Sequence, residues 1–308
     1  MEKYLIINAD DLGMCHAQNE ATFELLTIGT VTSATIMAPC SAAREAVAFA
    51  RNHPQYAIGI HLTATSEFPA YRWRPVCDRP HSTLTDSDGF FHRFAVDVER
   101  SADLCELREE LEAQICLLTA MGLTPSHLDN HMGTLYGILT GRFELLELAL
   151  ELSAKHRLPF RFPRLFSSHM LQNAMLSIKV SEGMIQKALG GIQGIIQERG
   201  IITPDHLSPG DWNGPQAESF ENYREYIYEL YRKLDHGVTE TYIHPACESE
   251  ELKGITPLWQ RRCWEYELFR DPKTAQHIRS LGIKLIDYRL LSKMRGDKKS
   301  RGAFFCFL

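Results

Sequence analysis

Carboxylates and histidines gather at a few places in this chain, each directly after an apolar run. Asp10 and Asp11 follow the apolar residues 4–7. Two adjacent carboxylates after a buried strand repel one another unless a cation or a proton neutralises one of them. The pair indicates a cation site, although Asp is also a favoured helix N-cap residue and the two residues alone leave both interpretations open.

Histidines follow two other apolar runs. His61 comes after residues 57–60, and His127, Asp129 and His131 alternate within one short stretch. If the chain is extended there, these three side chains point to the same side. One carboxylate and two imidazoles, with positions left for water, are suited to a catalytic divalent ion. A single histidine after a strand is more often a buried core residue, so the prediction depends on several strand ends coinciding.

The elements that must position these residues are short apolar runs separated by helical patterns. Apolar residues recur every three or four positions between the runs, as in the segment from Leu104 to Leu118. Strands alternating with helices favour a parallel sheet, because parallel strands need a crossover connection. About eight strands predict a single α/β domain, a regular or distorted (β/α) barrel. The predicted strands are residues 4–7, 31–37, 57–60, 126–128, 160–162, 201–206, 239–243 and 283–286.

A barrel of this kind would bring distant residues together. The carboxyl ends of all its strands lie on one face, where active sites are built. We expect the barrel domain over residues 1–290, with insertions near 65–98 and 165–200. The first insertion is too long for a simple connection and is expected near the active face. Residues 291–308 form a tail that is first basic and then apolar.

Composition excludes several classes of protein. The 308 residues are 44% hydrophobic and 23% charged with a net charge of -6, and the body of the chain has no basic stripe, which disfavours nucleic-acid binding. No apolar run approaches the roughly 20 residues needed to cross a membrane, and the amino terminus does not resemble a signal peptide. Eight scattered cysteines suit reduced thiols. We expect a cytoplasmic protein.

These motifs together resemble the YdjC-like carbohydrate deacetylases, a family that includes the chitooligosaccharide deacetylases. The resemblance extends from residue 4 to about residue 289. It implies a distorted (β/α) barrel related to the polysaccharide deacetylases, with a divalent metal held by one Asp and two His. The motifs that carry it are residues 8–13 (NADDLG), 59–63 (GIHLT), 126–131 (SHLDNH), 203–206 (TPDH) and 244–245 (HP).

The resemblance also implies roles for individual residues. By position, Asp11, His61 and His127 would hold the metal, Asp10 would be the base and His244 the acid. Many relatives have a further histidine where this chain has Met132 and Gly133, which leaves the role of His131 open. Further candidates for orienting a ligand or contacting substrate are Asp129, His131 and Asp205.

The implied activity is hydrolysis of an N-acetyl group from an amino sugar or a small oligosaccharide such as chitobiose, by a homodimer. The resemblance implies Mg²⁺, whereas two imidazole ligands favour Zn²⁺ or another transition ion. A Mg²⁺-dependent phosphate-ester hydrolase is one alternative, weakened by the histidines and by the absence of a GxxxxGK[ST] loop. A non-catalytic sugar-binding relative is the other, and it would have no need of Asp10 and His244.

Overall fold

A computed structural model describes residues 2–79, 82–165 and 182–302 of the protein. Part of the second predicted insertion, residues 166–181, and the apolar end of the tail, residues 303–308, lie outside the described residues. The described chain begins with a ten-residue strand and ends with a helix.

Seven strands form one parallel sheet. Its order is β4-β3-β2-β1-β6-β5, and β7 also pairs with β1. The first half of β1 lies beside β7, and its second half lies beside β2, while β6 runs along its other edge. The strands are β1 (Lys3–Leu12), β2 (Ser33–Ile36), β3 (Ala57–Leu62), β4 (Leu128–Asn130), β5 (His206–Leu207), β6 (Gly237–Ile243) and β7 (Ile283–Leu285).

Irregular chain closes the sheet into a ring between β4 and β5. The backbone N–H of Arg161 donates to Leu128 O (3.0 Å), and the N–H of Phe160 donates to Ile202 O (2.9 Å). The predicted strand at residues 160–162 therefore lies in place, but it is reduced to a single bridge between Leu128 and Phe160. Prolines at positions 159 and 163 flank it and cannot donate to a ladder. The fold is the predicted distorted (β/α) barrel.

Helices surround the ring and connect its strands. Helix α4 is capped by Asp103, whose side chain accepts from the N–H groups of Cys105 and Glu106. Four of its apolar residues recur at three and four positions and are buried, as the sequence pattern predicts: Leu107, Leu111, Ile115 and Leu118. The helices are α1 (His16–Ile28), α2 (Ala43–Asn52), α3 (Ala95–Ser101), α4 (Leu104–Ala120), α5 (Glu144–His156), α6 (Glu182–Glu198), α7 (Phe220–Arg232), α8 (Glu250–Ile255), α9 (Trp259–Arg270), α10 (Pro272–Ser280) and α11 (Tyr288–Gly302).

Residues 65–79 and 82–94 form no helix and only one isolated bridge, between Thr85 and Phe91, yet hydrogen bonds attach them to the barrel. Trp73 donates through Nε1 to Thr65 O (2.7 Å), and the buried Glu110 of α4 accepts from the N–H groups of Val76 and Cys77. These contacts hold the first residues of the segment, including Glu67, beside the carboxyl end of β3.

Side chains inside the barrel change from apolar to polar along its axis. Ile6, Asn8 and Asp10 alternate along β1 and therefore point to one side. Ile6 belongs to a small buried apolar cluster that includes Tyr288 and Leu291 of α11 and covers the amino end of the barrel. The polar residues lie above it, toward the carboxyl ends of the strands. Among the described helices, none is long and apolar enough to cross a membrane.

Candidate active site at the carboxyl end of the barrel

Three buried side chains converge at the carboxyl ends of β1, β3 and β4. His61 Nε2 lies 3.3 Å from Asp11 Oδ1, and His131 Nδ1 lies 3.1 Å from the same oxygen. Each of the three residues is at most 4% exposed. We call these three residues, Asp11, His61 and His131, the upper level of the barrel.

A backbone distortion lets both adjacent aspartates face the site. In a regular strand Asp10 and Asp11 would point to opposite faces. The pairing of β1 with β2 shifts register between Ala9 and Leu12, and Asp11 adopts a left-handed conformation with φ of 59°. This bulge turns the Asp11 carboxylate toward the histidines while Asp10 stays inside the barrel.

The upper level has the chemistry of a divalent cation site. Its carboxylate oxygen and two ring nitrogens lie within 4.8 Å of one another, and the mixture of oxygen and imidazole donors suits such an ion. A second group in the described chain, Asp10, His61 and Asp129, meets the same distance. Both of its carboxylates already pair with Arg161, so a further cation there would be repelled.

Each of the two histidines donates one ring N–H to a carboxylate on the side away from Asp11, and this hydrogen bond determines which ring nitrogen faces Asp11. His61 donates through Nδ1 to Asp129 Oδ1 (2.7 Å), and His131 donates through Nε2 to Glu67 Oε2 (2.9 Å). The nitrogens that remain, His61 Nε2 and His131 Nδ1, are those that face Asp11. Such outer carboxylates orient metal-binding imidazoles and make them more basic.

The same carboxylates set the protonation of the histidines. Burial by itself would lower the pKa of His61, but Asp129 and Asp11 outweigh it and raise the pKa to about 10. Burial is likewise outweighed at His131, where Glu67 and Asp11 raise the pKa to about 9. Without a bound cation, both imidazole rings are therefore protonated on both nitrogens and positively charged at neutral pH.

The structure does not bring His127 to this group, which corrects the ligand set carried over by position. His127 precedes β4, and four extended residues separate it from His131 by about 13 Å. Its Nε2 lies 3.2 Å from Asn8 Oδ1, its Nδ1 lies 2.9 Å from Ser126 Oγ, and its ring stacks on Tyr288 at 3.7 Å. We call Asn8, His127 and Tyr288 the lower level. Burial lowers the pKa of His127 to about 3, so the ring is neutral.

Asp10 is held by a buried arginine that the sequence analysis missed. Arg161 donates to both oxygens of Asp10 at 2.7 Å, and Asn8 Nδ2 donates to Asp10 Oδ1 at 2.9 Å. Arg161 also bonds Glu240 and Asp129, both at 2.8 Å, so three carboxylates surround one guanidinium. The sequence feature that could have indicated this arginine is its position between Phe160 and Phe162 in a predicted apolar strand.

Helix α9 supports the other side of the site through two residues three positions apart. Arg262 donates to Asp11 Oδ2 (2.9 Å), which leaves Oδ1 for the histidines. Glu265 accepts from the backbone N–H of His244 (2.6 Å). Burial raises the pKa of Glu265 to about 8 and lowers the pKa of His244. The His244 side chain is 30% exposed and lines the pocket.

These side chains enclose a small open pocket. Its volume is ≈ 290 Å³, near the lower end of typical ligand sites. Asp10, His61, His131 and His244 supply polar groups to its wall, and Tyr136 and Tyr242 supply aromatic ones. The pocket can hold a small polar ligand against both the candidate cation site and the side chains of Asp10 and His244.

Asp205 lies away from this pocket. Its Oδ2 accepts from the N–H of Val238 (2.9 Å) at the beginning of β6, and its Oδ1 pairs with Arg295 of α11 at 2.5 Å. These contacts fix α11 at the amino end of the barrel, and Asp205 does not line the pocket described above.

Known proteins resemble this chain over most of its length. A carbohydrate deacetylase from Geobacillus stearothermophilus is 26% identical over 294 residues, which cover 96% of this chain and 100% of that protein. A chitooligosaccharide deacetylase from Serratia marcescens is 36% identical over 132 residues, covering 42% and 50%. The crystal structure of an Enterococcus faecalis protein described as a cellobiose-phosphate cleavage protein is 27% identical with a TM-score of 0.72, covering 94% of this chain and 99% of that one. A family model matches residues 4–280, and the chain accordingly belongs to the YdjC-like protein family.

Proposed function

We propose that the protein is a metal-dependent carbohydrate N-deacetylase. It would remove the acetyl group from an N-acetylated amino sugar or a small oligosaccharide such as chitobiose. The observation that carries this proposal is the buried upper level, where an Asp and two His converge beside Asp10 and His244 in one pocket. Relatives named carbohydrate deacetylase and chitooligosaccharide deacetylase support the same reaction.

The upper level would hold the metal through Asp11 Oδ1, His61 Nε2 and His131 Nδ1. A divalent ion bound there would polarise the acetyl carbonyl, since an amide is a poor electrophile. The family resemblance favours Mg²⁺, and the two imidazoles favour Zn²⁺ or another transition ion. The identity of the ion is therefore part of the test.

Asp10 and His244 would move the protons. Arg161 and Asn8 fix the Asp10 carboxylate in the pocket wall, so it can accept a proton from the attacking water. The leaving amine needs a proton, and His244 lies in the same wall with its backbone held by Glu265. The imidazole would donate that proton from its charged form, which burial and Arg262 disfavour and which Asp11 and Asp10 favour.

The test is acetate release from di-N-acetylchitobiose by metal-stripped protein, with Mg²⁺, Zn²⁺, Mn²⁺ or Co²⁺ added back. We expect activity with at least one ion, and its loss in Asp10→Asn and His131→Ala. His236→Ala, a surface histidine, is the matched control and should keep full activity.

Two outcomes would overturn the proposal. If the metal-loaded protein binds the sugar but releases no acetate, the chain is a sugar-binding relative. If it hydrolyses sugar phosphates and leaves the amide intact, it is a phosphate-ester hydrolase. The cytoplasmic location and the homodimer stay predictions, to be checked by fractionation and by light scattering.

A further inference from the structure

A second cavity lies at the amino end of the barrel, opposite the catalytic pocket. Its volume is ≈ 810 Å³. The chain segments that enter β3, β4 and residue 160 form most of its wall, and the beginning of α11 forms the rest. Because it is built from the amino ends of the strands, the proposed deacetylation does not use it.

The charged residues that line this cavity are all positive. They are Arg51 at the end of α2, Arg157 at the end of α5, and Arg289 and Lys293 of α11, and no carboxylate among the described residues lines it. Within the described part of the chain, Arg51, Arg157 and Lys293 form no ion pair. Arg51, Arg157 and Lys293 are exposed, so solvent screens their mutual repulsion, but the four cations together attract an anion to this cavity. This arrangement occurs in a chain whose net charge is -6.

One of the four cations is fixed in place. The Arg289 guanidinium donates to the backbone oxygens of Pro54 (2.5 Å) and Tyr56 (2.8 Å). These carbonyls are neutral, so they orient the guanidinium without cancelling its charge. An arginine that is already ordered loses less conformational freedom when it binds an anion.

Arg157 occupies a backbone conformation that favours glycine. Its φ is 55°, and the other described non-glycine residues with positive φ are Asp11 and Met132, both at the catalytic pocket. Glycine would adopt this helix-ending conformation without strain. Strained residues of this kind gather at functional sites, and the third one lies on the basic cavity.

We propose that this cavity binds a phosphate-bearing small molecule. Guanidinium groups bind phosphate through paired hydrogen bonds, and four positive charges match a ligand that carries two or more negative charges. The half-buried side chains of Tyr56 and Leu158 also line the cavity and offer an apolar surface for the rest of the ligand.

Titration calorimetry of the full chain with inorganic phosphate, pyrophosphate and a sugar phosphate tests this proposal. A chelator is present, so that no metal binds the anion. Binding should weaken about tenfold in Arg157→Gly and again in Arg51→Gln, as expected for lost charge-assisted contacts. Arg157→Gly removes the charge while relieving the backbone, so this variant should melt no lower than the wild type. Arg100→Gln, an exposed arginine of α3, is the matched control and should bind as the wild type does.

The three ligands separate the sources of the phosphate group. Tighter binding of the sugar phosphate than of inorganic phosphate supports a phosphorylated metabolite, and preference for pyrophosphate supports a free polyanion. The proposal fails if the wild type binds none of them at millimolar concentration. It also fails if the double variant Arg51→Gln/Arg157→Gly binds them unchanged, because the anion then lies elsewhere, for example beside Arg262.

Discussion

His131 and His127 lie four residues apart in one stretch, and their surroundings differ in almost every respect. His131 belongs to the upper level, where two carboxylates raise its pKa to about 9. His127 belongs to the lower level, where burial lowers its pKa to about 3 and its partners are an amide, a hydroxyl and an aromatic ring. The alternation of side chains along a strand determines which face of the sheet a residue is on. Its depth along the barrel axis determines which side chains surround it.

The difference between His131 and His127 is tested first by replacing each histidine in turn. His131→Ala should lower kcat/KM by roughly a thousandfold or more, because the cation site loses a ligand. His127→Gln should keep one bound metal and lose no more than about tenfold, as for a residue that acts through a neighbour. Metal content and acetate release are measured on both variants. A His127 variant that loses its metal while the His131 variant keeps it would reverse the assignment.

The second prediction concerns protons and metal at the upper level. The raised pKa values of His61 and His131 mean that an ion must displace a proton from each ring. Apparent metal affinity should therefore rise with pH up to about 9, by as much as roughly a hundredfold per pH unit. Calorimetry in buffers of different ionisation heat counts the protons released, and a count near zero would contradict the predicted protonation.

The third prediction concerns the carboxylate behind His131. Glu67→Gln removes the charge that holds the His131 Nε2–H and leaves a side chain of the same size. Metal affinity should fall about ten- to a hundredfold while the protein stays folded. Glu109→Gln, whose carboxylate pairs with Arg79 on the surface, serves as the control. Unchanged metal affinity in the Glu67 variant would show that the ring is held by Asp11 alone.

The smallest effect on activity is expected at Tyr288 in the lower level. Tyr288→Phe keeps the ring that stacks on His127 but removes the hydroxyl that donates to the buried Glu240. The free energy of unfolding should fall by about 1–3 kcal/mol, since Glu240 loses a hydrogen-bond partner. Acetate release should change by less than about tenfold. Denaturant unfolding and the standard assay measure the two effects, and a large loss of activity at unchanged stability would place the lower level in the chemistry.

The sequence predicts the parallel barrel and the meeting of its strand ends because both follow from local periodicity. The same logic places Asp10, His61 and His244 around one pocket, with Asp11 directly behind His61. It does not predict the bulge at Asp11, since a one-residue shift in register leaves no trace in an apolar pattern.

Other parts of the site depend on contacts between distant segments. Glu67 reaches His131 from an irregular segment, and Arg161 reaches Asp10 across the barrel, so neither contact follows a periodic rule. The sequence analysis expected His127 rather than His131 beside Asp11 and His61 for a different reason. Alternation gives both histidines the same direction, and only the start of β4 at Leu128 shows how deep each one lies.

The pairing of β1 has a consequence for how the protein is made. Its residues are synthesised well before Gly237–Ile243 and Ile283–Leu285, the distant strands with which they pair. Contacts between residues this distant in sequence form slowly, and an apolar strand is prone to aggregate until its partner strands have formed. The surroundings of Asp10 and Asp11 are therefore complete only after the much later segments that carry Arg161 and Arg262 have also been synthesised.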